Sequence, residues 1–133
     1  MSGDKMEINK LTEKIIACAY AVSNELGIGF VEKVYENALV HEMRKAGLNV
    51  RQQYPITVEY DGVVVGNFFA DVLVNERVLL ELKAVSELND IHLAQALNYL
   101  RATGLETCLL MNFATKRVQI RRLHPSPRWS NRR

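Results

Sequence analysis

Glu81 and Lys83 are the two charged residues of an otherwise apolar run, Val78-Leu79-Leu80-Glu81-Leu82-Lys83-Ala84-Val85. In an extended chain successive side chains point to opposite faces, so Val78, Leu80, Leu82 and Ala84 share one face and Leu79, Glu81 and Lys83 the other. The carboxylate and the amine then stand roughly 6 to 7 Å apart along the strand, close enough to act together on a body held between them. Asp71 interrupts the preceding run, Phe68-Phe69-Ala70-Asp71-Val72-Leu73-Val74, in the same way. If Asn75, Glu76 and Arg77 form a three-residue loop, Asp71 falls opposite Glu81 on the same face. A two-residue loop would pair Asp71 with Leu80 instead and send the carboxylates to opposite faces, because a slip of one residue turns every side chain over. Two carboxylates at cross-strand distance repel unless a proton or a cation lies between them, and such a hard, oxygen-rich pair suits Mg²⁺.

The elements that must position these residues follow from hydrophobic periodicity. Between Met6 and Leu26, the residues Leu11, Ile15, Ile16, Ala19, Val22 and Leu26 recur at helical spacing, and Gly27 and Gly29 supply a stop. A second helix is predicted over Val31 to Ala46, with Val34, Ala38, Leu39 and Met43 as its apolar stripe, basic Arg44 and Lys45 in its last turn and Gly47 as cap. The period then changes to two. Tyr54 to Tyr60 alternates, Asp61-Gly62 signals a hairpin, and Val63 to Val74 continues in the same character. Val78 to Val85 is apolar enough for an interior strand. Leu88 to Ala102 is helical again, closed by Gly104, and Thr107 to Phe113 and Arg117 to Leu123 read as a buried and a more exposed strand. Pro125 and Pro127 end regular structure.

Composition bounds the function classes. A chain of 133 residues with average apolar and charged content is a single globular domain with one real core, followed from about residue 124 by a flexible basic tail. A net charge of +2 is a weak pull toward polyanions, and much of it sits at Arg121, Arg122, Arg128, Arg132 and Arg133. Cys18 and Cys108 both lie in apolar patterns, so a disulfide framework is not expected and a reducing, cytoplasmic setting is. No run of some eighteen apolar residues occurs, so no membrane insertion is expected.

The spacing of Asp71 and Glu81-Leu82-Lys83 on two adjacent strands, after one helix and before another, resembles the signature of the PD-(D/E)XK nucleases, with Ala70 standing where the name has proline. Gly29-Phe-Val-Glu32-Lys-Val-Tyr35 resembles the motif that names the GxxExxY proteins of that superfamily, and Gln95-Ala-Leu-Asn-Tyr99 is similar to the QxxxY element of RecB-like nucleases. The resemblance spans roughly Ile15 to Leu123. It implies an α/β (α+β) restriction-endonuclease-like core, with a central mixed sheet of about five strands and elements in the order ααβββαββ. It also implies hydrolysis of nucleic-acid phosphodiesters with Mg²⁺ or Mn²⁺ held by Asp71, Glu81 and the Leu82 carbonyl, and with Lys83 beside the attacking water. Glu32 becomes a water-mediated or second-metal ligand. A homodimer follows by analogy with nucleases of this size.

Other readings stand beside this one. His92, Gln95 and Tyr99 share a helix face, where an imidazole, an amide and a hydroxyl suit hydrogen bonds to a phosphate or to Lys83, and that face is expected to meet the acidic pair. Glu32 is equally well read as a solvated first-turn acid favoured by the helix dipole, Tyr35 as a packed aromatic, and His92 as a polar-face histidine. The main alternative function is a non-catalytic module that binds protein or nucleic acid on a nuclease scaffold. A third is an oligomerisation domain in which Glu81 and Lys83 form a salt bridge. DNA and RNA, and internal and terminal cutting, are not separable on these residues.

Overall fold

The computed structural model describes residues 2–125, with side chains from residue 7 onward. Its elements run α1 (Ser2–Leu26), α2 (Glu32–Lys45), β1 (Val50–Tyr60), β2 (Val63–Val74), β3 (Val78–Lys83), α3 (Asp90–Thr103), β4 (Thr107–Asn112) and β5 (Gln119–Leu123). This is the expected order, ααβββαββ. The outer part of the expected basic tail, with Arg128, Arg132 and Arg133, lies outside the described residues.

The five strands form one mixed sheet in sequence order, β1-β2-β3-β4-β5. Only β3 and β4 run parallel, Val78 beside Thr107 through Lys83 beside Asn112, and α3 is the crossover between them. A parallel pair needs a connection of this length, and it covers one face of the sheet in passing. Asn89 caps the start of α3, its side chain accepting from the Ile91 and His92 amides, and Gly104 ends the helix in the left-handed conformation with φ 75°.

Two apolar cores lie on opposite faces. Ile8, Leu11, Ile15, Ala19 and Val22 of α1 join Tyr35, Leu39 and Met43 of α2 and pack on Val78, Leu80 and Leu82. On the other face Ala96, Tyr99 and Leu100 of α3 pack on Leu79 and Leu73. β3 is therefore buried on both sides, which is why its sequence is so apolar. The predicted stripe of α2 is rotated by one residue. Val34 is exposed, and the inward face is made by Tyr35, Glu36, Leu39, Val40 and Met43. β1 starts at Val50, four residues before the expected Tyr54, because pairing of Val50, Arg51 and Gln52 with Val74, Leu73 and Val72 extends it through a polar stretch without alternation. Pro55 is tolerated because β1 is an edge strand.

The chain leaving β3 is pinned by Asn112, which is fully buried at the end of β4. Its amide donates to the Val85 carbonyl (2.8 Å) and to Gln119 Oε1 (3.2 Å), while its oxygen accepts from the Val85 and Ala114 amides. Asn112→Ala would strand several buried polar groups, so a loss of about 2–3 kcal/mol is expected. Thermal denaturation followed by circular dichroism checks this.

Candidate active site

Strands β2 and β3 meet through a loop of three residues, Asn75, Glu76 and Arg77. Val74 pairs with Val78, Leu73 with Leu79 and Val72 with Leu80. Asn75 and Glu76 both have positive φ, 51° and 57°, and the Arg77 amide closes the turn on the Val74 carbonyl. The loop is tied to the start of β1, where the Asn49 amide donates to Asn75 Oδ1 at 2.8 Å and Arg51 pairs with Glu76. This register places Asp71 across from Glu81, on the face covered by α3.

At that position side chains take over the cross-strand bonding. The Asp71 amide donates to Glu81 Oε2 at 2.8 Å, and the Leu82 amide donates to Asp71 Oδ2 at 2.7 Å. Each carboxylate is thus fixed through one oxygen by the backbone of the opposite strand. In a strand the N–H and C=O of one residue leave on the same side, so the Leu82 carbonyl is turned toward Asp71. The next carbonyl, of Lys83, faces the other way and accepts from the Phe113 amide.

Lys83 is half-buried, and its Nζ lies 3.4 Å from Gln95 Oε1, while Gln95 Nε2 donates to the Tyr99 hydroxyl at 3.3 Å. Lys83, Gln95 and Tyr99 thus form a chain from β3 to α3 beside the acids. Among the described residues no ion pair joins Glu81 to Lys83. His92 is engaged differently, since its Nδ1 accepts from the Asn89 amide in the capping box of α3.

The early helix contributes at longer range. Glu32 opens α2 and is exposed. Tyr35 is fully buried, donates to the Gly27 carbonyl at 2.7 Å and stacks on Phe113 with ring centroids 4.9 Å apart. It anchors the Gly27–Phe30 turn that leads into α2. Glu36, which sequence reasoning passed over, is only 4% exposed and accepts from Lys33 (3.0 Å), Gln52 (2.7 Å) and Gln53 (3.2 Å). Gln53, which the register sets opposite Asp71 on β1, has φ 53°, a left-handed conformation that L side chains rarely adopt. The only sequence signal for Glu36 is its place one helical turn beyond Glu32. Glu32 and Glu36 are near enough for their charges to act on Asp71, although among the described residues no three histidine, cysteine or acidic side chains gather as a metal cluster.

The sequence matches the PD-(D/E)XK nuclease superfamily over residues 9–123. The chain belongs to that superfamily. Its fold is also that of two solved structures. The alkaline exonuclease LHK-Exo from Laribacter hongkongensis is similar with a TM-score of 0.55 and 14% identity, covering 87% of this chain and 71% of that one. SSO0001 is similar with the same TM-score and identity, covering 75% of this chain, which spans 53% of the length of SSO0001. A comparison with curated proteins gives no match. The mixed five-stranded sheet is the restriction-endonuclease-like core of the PD-(D/E)XK nucleases.

In this PD-(D/E)XK chain the acids are uncomfortable as anions. Burial pushes the Glu81 carboxyl up from its ordinary 4.5 to about 8, helped by the neighbouring Asp71 charge and opposed by the Asp71 amide and Lys83. Asp71 is raised as well, by burial first and by the charges of Glu36 and Glu32, against the Leu82 amide and Lys83. The Tyr99 hydroxyl is also pushed up, by burial and then by the charges of Glu81 and Asp71. A group whose folded pKa is raised holds its proton more tightly in the native state. Its contribution to stability is complete below 4.5 and is lost as the pH rises through about 8. Metal-free protein is therefore expected to lose denaturant resistance across that window. Glu81→Gln, which carries no titrating proton, should flatten the dependence, as urea melts at a series of pH values would show.

Proposed function

We propose that the chain is a metal-dependent nuclease of nucleic acid, with its reaction centred on Asp71, Glu81 and Lys83. The observation that carries this reading is the reciprocal pair of backbone bonds, Asp71 amide to Glu81 and Leu82 amide to Asp71, which holds a buried and a half-buried carboxylate side by side with one oxygen of each left over. The resemblance of Gly29, Glu32 and Tyr35 to the GxxExxY motif supports assignment to that subgroup.

The residues fit the divalent cation that the superfamily implies. Asp71, Glu81 and the Leu82 carbonyl make a hard oxygen donor set that would hold a divalent cation such as Mg²⁺ or Mn²⁺. Burial raises both carboxyls, and a cation held beside them would offset that penalty. Glu32, exposed at the start of α2, would contribute to holding the cation through water. When bound, the ion supplies charge for the developing phosphoryl oxygens and lowers the pKa of a water.

The chain's own residues do the rest. Lys83 orients the attacking water and offers positive charge as negative charge grows on the scissile phosphate. Gln95 holds the Lys83 amine from α3, and Tyr99 holds Gln95 in turn. His92 serves the start of α3, where its ring accepts from the Asn89 amide. A cleft of about 920 Å³ between the β1–β2 hairpin and α3 includes in its lining Gln95 and Tyr99, the residues that link Lys83 to α3, while the acids themselves lie outside that lining. No helix among the described residues is long and apolar enough to cross a membrane. With two buried free thiols, a cytoplasmic site of action fits.

Purified protein incubated with labelled single- and double-stranded DNA and RNA, with and without Mg²⁺ or Mn²⁺, tests the proposal. Cleavage is expected only with the cation. Asp71→Asn, Glu81→Gln and Lys83→Ala should each lower it by at least about a hundredfold while the circular dichroism spectrum is unchanged. Cleavage at the parental rate by Asp71→Asn would refute the assignment. Binding has its own readout: Mg²⁺ should raise the melting temperature of the parent near pH 8 and leave that of Asp71→Asn unmoved.

A further inference from the structure

Gln95 faces two ways. Its amide oxygen lies 3.4 Å from Lys83 Nζ, and the same side chain lines the cleft between the β1–β2 hairpin and α3. The cleft therefore opens beside the candidate reacting groups, with Gln95 as a shared wall. The hairpin side of this cleft is aromatic, carrying Tyr60 and Phe68. Phe68 is 44% exposed, and its ring centroid lies 6.0 Å from that of Tyr99 at a tilt of 39°. Gly66 helps to seat that ring. A Cβ at Gly66 would come within 2.8 Å of Phe68 Cε2, so the ring fills space that a side chain there would take. Set against bare backbone and against Tyr99, Phe68 is positioned in advance while much of its surface meets solvent. Exposed apolar surface of this kind, rimmed by polar groups, marks a ligand groove.

The chemistry of the lining selects the occupant. Gln95 and Asn98, both exposed, offer amide donors and acceptors beside the aromatic surface. The charged residues of the lining are one acid, Glu59, and one base, Arg101, so the cleft has no net charge. A run of phosphates gains nothing from such a lining and is repelled by Glu59. A nucleobase is planar, uncharged and edged with hydrogen-bonding groups, and an aromatic face with amides around it matches all three properties. The phosphates of the same strand then lie outside the cleft, on the Gln95 side, where Lys83 supplies the positive charge.

We propose that this cleft is a subsite for an unpaired nucleobase stacked on Phe68, and that the nucleic acid it takes is single-stranded. A base inside a duplex has its faces covered by its neighbours and its edge paired, so it reaches Phe68 only by leaving the helix. The link to catalysis rests on the nuclease reading above, whereas the base subsite stands on the cleft itself.

Binding is measured without cleavage, by fluorescence anisotropy of a fluorescein-labelled oligothymidylate in the presence of a chelator. The parent is expected to hold this single strand at least about tenfold more tightly than the same strand annealed to its complement. Phe68→Ala should weaken the single-strand complex by about tenfold, the loss of one stacked base. Phe68→Trp should preserve it and show fluorescence quenching on binding beyond that of the parent. A strand of equal length and charge made of abasic sugars should bind the parent no better than the oligothymidylate binds Phe68→Ala. Should Phe68→Ala fail to fold, Gly66→Ala, which displaces the ring without deleting it, makes the same measurement. Equal affinity for the duplex overturns the proposal, as does a folded Phe68→Ala or Gly66→Ala protein that binds the single strand like the parent. Mg²⁺-dependent cleavage beside either of those results would keep the nuclease reading while the base subsite falls. Single-strand binding that needs Phe68, in a parent that cleaves nothing, would do the reverse.

Discussion

The pairing of β2 with β3 is the constraint from which the candidate site follows. Three residues between the strands bring Asp71 level with Glu81, and the register is locked from outside by Asn75 bonding to Asn49 and by Arg51 pairing with Glu76. With one residue fewer, the aspartate would face the α1 and α2 core, where a lone buried carboxylate has no partner. The positive φ values of Asn75 and Glu76 are the local cost of that register. The hairpin geometry and the acidic pair are thus one feature seen at two scales.

Charge is the second constraint. Glu81 lies between two buried apolar residues of an interior strand, Leu80 and Leu82, and beside a second acid, with Lys83 as the nearby cation. A fold selected for stability alone would place leucines at Asp71 and Glu81, since replacing buried charged pairs with apolar side chains is often neutral or stabilising. The carboxylates instead accept one amide each, which orients them without neutralising them. An arrangement so poor in self-compensation reads as a receptor for positive charge.

Much of this was legible in the residues. The period of two in β2 and β3 and the charged interruptions at Asp71, Glu81 and Lys83 marked the candidate residues and the three-residue loop that sets the two acids level. The end of α3 and the interior character of β3 followed from Gly104 and a run that is apolar on one whole face, whereas the Asn89 cap, inside a helix expected to begin at Leu88, was not foreseen. What escaped was decided by tertiary partners. The polar start of β1 is a strand because Val74, Leu73 and Val72 pair with it, and nothing in Arg51-Gln52-Gln53 announces that. The inward face of α2 carries Glu36 because Gln52 and Gln53 meet it there, whereas apolarity alone favoured Val34. His92 spends one ring nitrogen on a helix cap that the spacing of Asn89 and His92 permits but does not demand.

Asp71, Glu81, Lys83, Gln95 and Tyr99 belong to one continuous stretch of the chain. A tight turn and one crossover helix suffice to assemble them, so the contacts that define the pocket close short loops and lose little chain entropy. The distant ties, such as the Val118 amide on Ser23 and Arg122 on Thr12, stitch α1 to the last two strands instead. The candidate site is thereby a compact cassette in the chain, able to take shape during folding before the termini find each other.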